Sequence, residues 1–352
     1  MNQDFPLGLS YDDVLLIPQH SLIKSRQEIA ISTQITPRVK LQIPLISINM
    51  NDVTGVEMAI ALGKLGGLGL LPRFNTANVE AEMVAKVKKA GVKVGAAIGI
   101  KKDFIERSEM LVKAGVDIIT IDVAHAHLQI AIDATSELKR RFGKSVDIIS
   151  GVIATYEGAK DLFRAGADSV RVGVGPGTIC ITRIVTGVGV PQITAVLEAA
   201  RAAKEYKKTV LCDGGTKNSG DVMKGLAAGA SAVVIGSQFA GCDEAPGKLI
   251  MKNGNKYKTY NASTSLSEKE KHIKANIHTN GDYIKHIEGV ESIVPYKGSI
   301  LNIASTITAN LKAGFSYCGA QNIGELHKKA KFIKVTAAGG KEAGAHDVIT
   351  NF

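Results

Sequence analysis

From Pro44 onward the chain repeats one alternation of apolar and polar positions. A stretch with helical periodicity ends in Ala-Gly or Gly-Ala, a short apolar run follows, and a polar or glycine-rich loop closes the unit. Lys89-Ala90-Gly91 precedes the run 92–98, Ala114-Gly115 precedes 116–122, Ala165-Gly166 precedes 167–172, and Gly229-Ala230 precedes 231–236. Such glycines suit left-handed helix C-caps. Short runs that are apolar throughout suit parallel strands buried on both faces. The runs at 45–49, 68–71, 93–98, 118–121, 147–150, 169–172, 210–213 and 232–235 predict eight strands with helices between them. Eight such units predict a (β/α)8 TIM barrel, with a doubly wound sheet as the competing arrangement. In a barrel the chemistry gathers at the C-terminal strand ends. Asp122, Gly151, the loop from Gly173 to Thr182, Asp213-Gly214-Gly215 and Gly236-Ser237 all fall there.

The rhythm fails in two places. Residues 1–40 read as an irregular arm, with a short apolar segment at 11–16 packed against the body. Between Gly241 and Gly298 the alternation stops: 252–258 reads as a hairpin turning at Asn253-Gly254, and 263–283 is polar. A long segment without its own apolar pattern suits a mobile flap over a site, here about 250–298. A helix at about 301–313 closes the barrel, and a basic, then glycine-rich tail runs from 317 to 352. The whole chain, 1–352, is read as one barrel domain, and 71–79, after the second strand, is too short to hold an inserted domain.

Composition narrows this picture. Hydrophobic residues make up 45% of the chain, enough for a large core. The net charge of +10 is spread along the chain without a basic block, so no nucleic-acid partner is expected, and an anionic small ligand fits as well. The four cysteines, Cys180, Cys212, Cys242 and Cys318, form no CxxC pair, no apolar run reaches transmembrane length, and no leader is expected. The expectation is a cytoplasmic protein with no membrane partner.

One cysteine has a setting for chemistry. Gly173-Val174-Gly175-Pro176-Gly177-Thr178-Ile179-Cys180-Ile181-Thr182-Arg183 puts Cys180 after three bare glycines, among hydroxyls and near two arginines. That environment favours a nucleophilic thiolate, and Thr182 could relay a proton or orient water. Asp213-Gly214-Gly215 and Gly236-Ser237 end strands seven and eight, the usual phosphate site of a barrel, with Asp213 a good acceptor for a ribose diol. Asp122 is a candidate at the tip of strand four. His125 and His127 have no partner at a metal-ligand spacing. Cys212, Cys242 and Cys318 read as inert.

The Cys180 loop, followed by Thr186-Gly187-Val188-Gly189-Val190-Pro191-Gln192, resembles the signature of the inosine monophosphate dehydrogenase / guanosine monophosphate reductase family. Asp243-Glu244-Ala245-Pro246-Gly247, Val294-Pro295-Tyr296-Lys297-Gly298 and Tyr317-Cys318-Gly319-Ala320 follow in that family's order, and the likeness covers nearly the whole chain. The resemblance implies a purine nucleoside monophosphate substrate, NAD or NADP, a potassium ion and a homotetramer. It implies that Cys180 attacks purine C2 and that Thr182 handles water or ammonia. Asp213 would hold the ribose, and Thr178, Gly215, Gly236, Ser237 and Tyr260 the phosphate. Asp122, with Val123 and Ala124, would face the nicotinamide riboside. The carbonyls of Gly175, Gly177 and Cys180 would hold potassium, with Glu342-Ala343-Gly344 as the other half of that site.

The chain also departs from the family pattern. Val152 stands where an asparagine is usual, and Asn261-Ala262-Ser263 where Gly-Met-Gly is usual. Pro72-Arg73-Phe74 follows the second strand in place of a histidine. The flap's Arg-Tyr pair is matched best by Asp282-Tyr283, and no arginine follows Arg201. The expected activity is oxidation of inosine monophosphate to xanthosine monophosphate. The alternatives are NADPH-dependent reductive deamination of guanosine monophosphate, or nucleotide binding with lost or altered turnover.

Overall fold

The computed structural model describes residues 5–100, 103–274 and 281–344. Eight parallel strands close into a barrel: β1 Leu45–Ser47, β2 Leu68–Leu71, β3 Val94–Ile98, β4 Ile118–Asp122, β5 Asp147–Ile153, β6 Ser169–Val172, β7 Thr209–Asp213 and β8 Ala232–Ile235. All eight predicted runs are strands of this one barrel, and β8 pairs with β1 through Val233–Leu45, Val234–Ile46 and Ile235–Ser47. Helices follow the strands in turn: α1 Val56–Lys64, α2 Ala77–Lys89, α3 Phe104–Lys113, α4 Gln129–Phe142, α5 Tyr156–Arg164, α6 Gln192–Tyr206, α7 Ser219–Ala227 and α8 Ile300–Tyr317.

The strands are apolar on both faces because both faces are covered. Ile46, Leu68, Leu70, Ile118, Leu211 and Val234 belong to one buried cluster with Ile35, Val39 and Leu41. On the outside, Leu71, Val94, Ile98 and Ile119 pack with Val84 and Val87 of α2 and Leu111 of α3. Each large apolar side chain so buried contributes roughly 1.5–3 kcal/mol.

Residues 5–40 are more ordered than the irregular arm expected of 1–40. Thr33–Thr36 and Val39–Leu41 form a hairpin whose apolar side chains join the cluster just described, and Arg38 pairs with buried Asp147 at 2.5 Å. Val14–Leu16 is a strand paired with Phe332–Lys334 of the tail. Segments of three or four residues carry too little alternation to be read as strands; tertiary partners supply their stability.

The segment after β8 opens with a helical turn, Ser237–Ala240. The expected hairpin is present as Leu249–Lys252 and Asn255–Thr259, turning at Asn253 and Gly254 with φ of 50° and 76°. Positive φ at both central residues is the geometry of a type I′ turn. A third strand, Ile293–Pro295, completes this small antiparallel sheet, and helix Leu266–Lys274 lies between. Among the described residues no helix is long and apolar enough to cross a membrane.

Candidate active site

The C-terminal ends of the barrel strands and the flap line an open pocket with a cavity volume of about 150 Å³. Thr178, Ile179 and Cys180 line it from the loop after β6, Gly214, Gly215 and Thr216 from that after β7, and Gly236 and Ser237 from the end of β8. Tyr260, Ala262, Ser263, Thr264 and Glu288 line it from the flap.

The chain reaches this geometry through bare backbone. Gly173 leaves β6 with φ of 155°, and a Cβ there would stand 2.0 Å from the Asp213 carbonyl oxygen, so the β6 and β7 loops meet only because the position is glycine. A Cβ on Gly236 would stand 2.5 Å from the Tyr260 hydroxyl. The Cys180 loop then turns on itself, with the Cys180 amide donating to the Gly177 carbonyl at 3.1 Å.

The flap docks on that loop. Cys180 and Gly289 form an antiparallel bridge, Ile181 N–H donates to the Glu288 carbonyl at 2.9 Å, and Val290 N–H donates to the Ile179 carbonyl at 3.1 Å. This brings three side chains into line. Cys180 Sγ lies 3.1 Å from Thr182 Oγ1, and Thr182 Oγ1 donates to Glu288 Oε2 at 2.7 Å. A thiol, a hydroxyl and a carboxylate in series can shuttle a proton between the reacting centre and the carboxylate. Glu288 was missed from sequence, where attention to the flap fell on Asp282 and Tyr283. The signal was a short one, an acid directly before Gly289, whose Cβ would stand 2.2 Å from that of Ala262.

Hydroxyls gather at the other end of the pocket. Thr178 Oγ1 and Ser237 Oγ are 3.4 Å apart, near the amides of Gly215 and Gly236. Burial, with the charge of Asp213, raises the Tyr260 phenol, so it stays protonated and can donate. Donors without a counter-carboxylate are what an anionic phosphate requires.

Asp213 and Asp122 stand outside the pocket lining, in a chain of ion pairs. Arg171, 3% exposed, reaches Asp213 Oδ2 through Nε at 2.7 Å and through a terminal nitrogen at 2.6 Å. Its other terminal nitrogen lies 3.2 Å from Asp122 Oδ1, and Arg73 Nε lies 3.1 Å from Asp122 Oδ2. Burial opposes charge on Asp122, but the two guanidiniums hold its pKa below the ordinary carboxylate value. Burial pushes Asp213 up against the pull of its single arginine, and the charge of Asp122 adds to the rise. Val123 and Ala124 follow Asp122 in the β4 loop, where Val123 N–H donates to the Gly151 carbonyl at 3.1 Å.

Asp282 and Tyr283 stand away from the pocket lining. Asp282 is exposed and pairs with Lys285 at 2.7 Å, while the Tyr283 hydroxyl lies 2.8 Å from His272 Nδ1. Asn261 spans the flap, its amide donating to Asp52 and its side chain accepting from Ser292 N–H. Val152 packs against the apolar core. Burial pushes the Cys212 thiol up to about 11 and Cys242 up to about 12, and Cys318 is raised too, in keeping with inert thiols. Among the described residues no cluster of histidine, cysteine and acids could hold a metal ion. In the tail, Gly340, Lys341 and Ala343 line a separate pocket with Asp12 and Asp13, and the motif running on from Glu342 passes outside the described residues after Gly344.

Residues 8–346 match the family model described as IMP dehydrogenase / GMP reductase domain. The chain belongs to the IMP dehydrogenase / GMP reductase family. It is therefore an oxidoreductase of a family that uses a nicotinamide cofactor. It is 36% identical to an inosine-5'-monophosphate dehydrogenase from Borreliella burgdorferi, over 97% of this chain and 98% of that one. It is 32% identical to a GMP reductase from Leishmania donovani, over 97% of each. Its structure superposes on GMP reductase from Trypanosoma brucei in complex with guanosine 5'-monophosphate with a TM-score of 0.93, at 29% identity, covering 98% of this chain and 99% of that one.

Proposed function

We propose that the protein oxidises inosine monophosphate to xanthosine monophosphate, with Cys180 as the covalent nucleophile. The observation that carries this reading is the Cys180–Thr182–Glu288 series at one end of a pocket whose other end is a cradle of phosphate donors. The nucleotide phosphate is taken by Thr178, Gly215, Gly236, Ser237 and Tyr260, which leaves the purine beside Cys180. The Cys180 sulfur bonds to purine C2 as its S–H proton passes to solvent. NAD or NADP, when bound, accepts the hydride that leaves C2. Asp122, with Val123 and Ala124, orients the nicotinamide riboside, and Asp213 the substrate ribose; for either carboxylate to do so, Arg171 has to share it with a hydroxyl. The thioimidate left on Cys180 needs water. Thr182, its proton already directed to Glu288, takes the water's proton as hydroxide attacks C2, and the S–C bond then breaks to release the product.

A second reading, reductive deamination of guanosine monophosphate, is favoured by one observation: the flap has no arginine beside Tyr283 to act as a second base, and a single acid-base pair, Thr182–Glu288, suits delivering a proton to departing ammonia. Potassium, held by the carbonyls of Gly175, Gly177 and Cys180, would order the nucleophile loop; the loop offers backbone oxygens and no carboxylate, the donor set of a monovalent ion. Glu342-Ala343-Gly344 from a second copy would complete that site. A homotetramer is supported by the family and by the exposed apolar side chains of Ile184, Val185 and Val188 beside the site. A cytoplasmic location is supported by four free thiols.

The test is steady-state absorbance of the reduced nicotinamide at two reciprocal mixtures. Growth of the signal with inosine monophosphate and NAD supports oxidation; decay with guanosine monophosphate and NADPH supports the second reading. Silence in both, with nucleotide still bound, would leave a binding protein without turnover.

A further inference from the structure

The flap places Glu288 opposite Thr182, and the backbone from Glu288 to Val290 is tied to the nucleophile loop. What fixes the flap turn from the other side is a lysine. We propose that Lys269 is a positioning residue: its ammonium pins the turn that ends just before Glu288 and so sets the approach of that carboxylate to Thr182.

Lys269 lies in the flap helix Leu266–Lys274 and is 3% exposed. Its Nζ donates to the Tyr283 carbonyl at 2.8 Å and to the His286 carbonyl, and sits 4.5 Å from the centre of the Tyr283 ring. These two carbonyls bracket the turn, and Glu288 follows two residues later. From Glu288 onward the chain is tied to the nucleophile loop through the Ile181 amide, the Cys180–Gly289 bridge and the Val290 amide. The carboxylate is therefore suspended between two anchors, the loop on one side and Lys269 on the other.

The helix that carries Lys269 is itself fixed to the barrel mouth. His272 stacks on Phe74 with ring centres 4.0 Å apart and planes 5° from parallel, and the Arg73 guanidinium lies over the same Phe74 ring at 4.1 Å. Phe74 and Arg73 follow β2, at the place where the chain departs from the family pattern. The anchor thus belongs to this chain's own flap.

A buried ammonium is an expensive way to fill space, since desolvation penalises the charge and carbonyl dipoles return only part of it. A methionine would occupy the same volume more cheaply. The charge is instead used on two carbonyls of one turn; burial lowers the Lys269 pKa, and the negative Glu288 offsets only part of that fall. A mere staple of the flap would give a mutant with weaker folding and unchanged chemistry; a positioning residue acts through Glu288.

This inference rests on the oxidoreductase reading for its kinetic arm alone. Lys269→Met and Lys269→Gln are each measured for kcat and nucleotide KM, alone and combined with Glu288→Gln, and hydrogen exchange is followed at the Ile181 and Val290 amides. The expected result is a kcat lower by about ten- to a hundredfold, the scale of one charge-assisted hydrogen bond, with nucleotide KM held within about threefold. With Glu288→Gln already present, Lys269→Met should cost less than about twofold more, because both changes act on one group. Exchange at Ile181 and Val290 should rise in the Lys269 variants. Unchanged kcat, or losses that multiply in full with Glu288→Gln, would overturn the proposal. If Lys269→Met does not fold, Lys269→Gln, which keeps an N–H donor, carries the same comparison. If the native protein turns over neither nucleotide, the functional reading fails and exchange decides: unchanged protection at Ile181 overturns the role of Lys269.

Discussion

Replacing Arg171 by methionine removes the one cation that serves two buried or half-buried carboxylates. Arg171 holds Asp213 through two nitrogens at 2.7 and 2.6 Å and Asp122 through a third at 3.2 Å, at 3% exposure. Asp122 keeps Arg73 at 3.1 Å and is partly exposed; Asp213 keeps no cation in the ion pairs of the described residues. The loss falls mainly on Asp213. Removing one partner of a buried pair costs about 3–5 kcal/mol, because it strands a charge. At about 2.1 cal/mol/K of unfolding entropy per residue, a chain of 352 residues shifts by about 1.4 °C per kcal/mol, so the melting temperature should fall by about 4–7 °C. The pH dependence has a definite sign. Without Arg171 the folded-state pKa of Asp213 rises further above its unfolded value, so the variant's stability is best at low pH and is lost as pH rises through the raised folded pKa. Thermal melts of both proteins at pH 5.5 and pH 8 should therefore show the larger gap at pH 8. Arg171→Met combined with Asp213→Asn should recover much of it, since no buried charge remains. A gap at pH 8 below about 1 kcal/mol, or one that widens on acidification, would refute the reasoning.

Three further outcomes follow from the same geometry. Glu288→Gln keeps the shape of the contact to Thr182 but removes the base, so kcat should fall by about 10²–10⁴-fold with nucleotide KM little changed, measured by steady-state kinetics. Gly236→Ala drives a Cβ to 2.5 Å from the Tyr260 hydroxyl and should raise the nucleotide dissociation constant by at least about tenfold; combining it with Tyr260→Phe should restore part of the loss, both read by calorimetry. Ser237→Ala removes one neutral phosphate donor and should raise nucleotide KM by about two- to tenfold, while kcat at saturation is retained.

The barrel was legible because its strands are apolar on both faces, a pattern that few other folds demand. The loop after β6 was legible because its three glycines and its cysteine are contiguous. Glu288 was not, for a physical reason: its partner Thr182 is 106 positions away, and only flap docking brings them together. The partners of Arg171 were hidden for the same reason, since its carboxylates lie 49 positions before it and 42 after it. The hairpin Thr33–Leu41 hid in segments too short to show alternation. Asp282-Tyr283 is the converse case: a contiguous dipeptide match is easily read from the chain, while the contacts of its two side chains, to Lys285 and His272, appear only in the fold.

The central claim is that Cys180 bonds covalently to the purine. Protein mixed with inosine monophosphate and NAD, quenched in acid during turnover and digested, should yield a peptide containing Cys180 that carries the mass of the purine nucleotide. Cys180→Ala should give neither the adduct nor reduced cofactor. Turnover in the Cys180→Ala protein, or an adduct on Cys212, Cys242 or Cys318 in its place, would contradict the account.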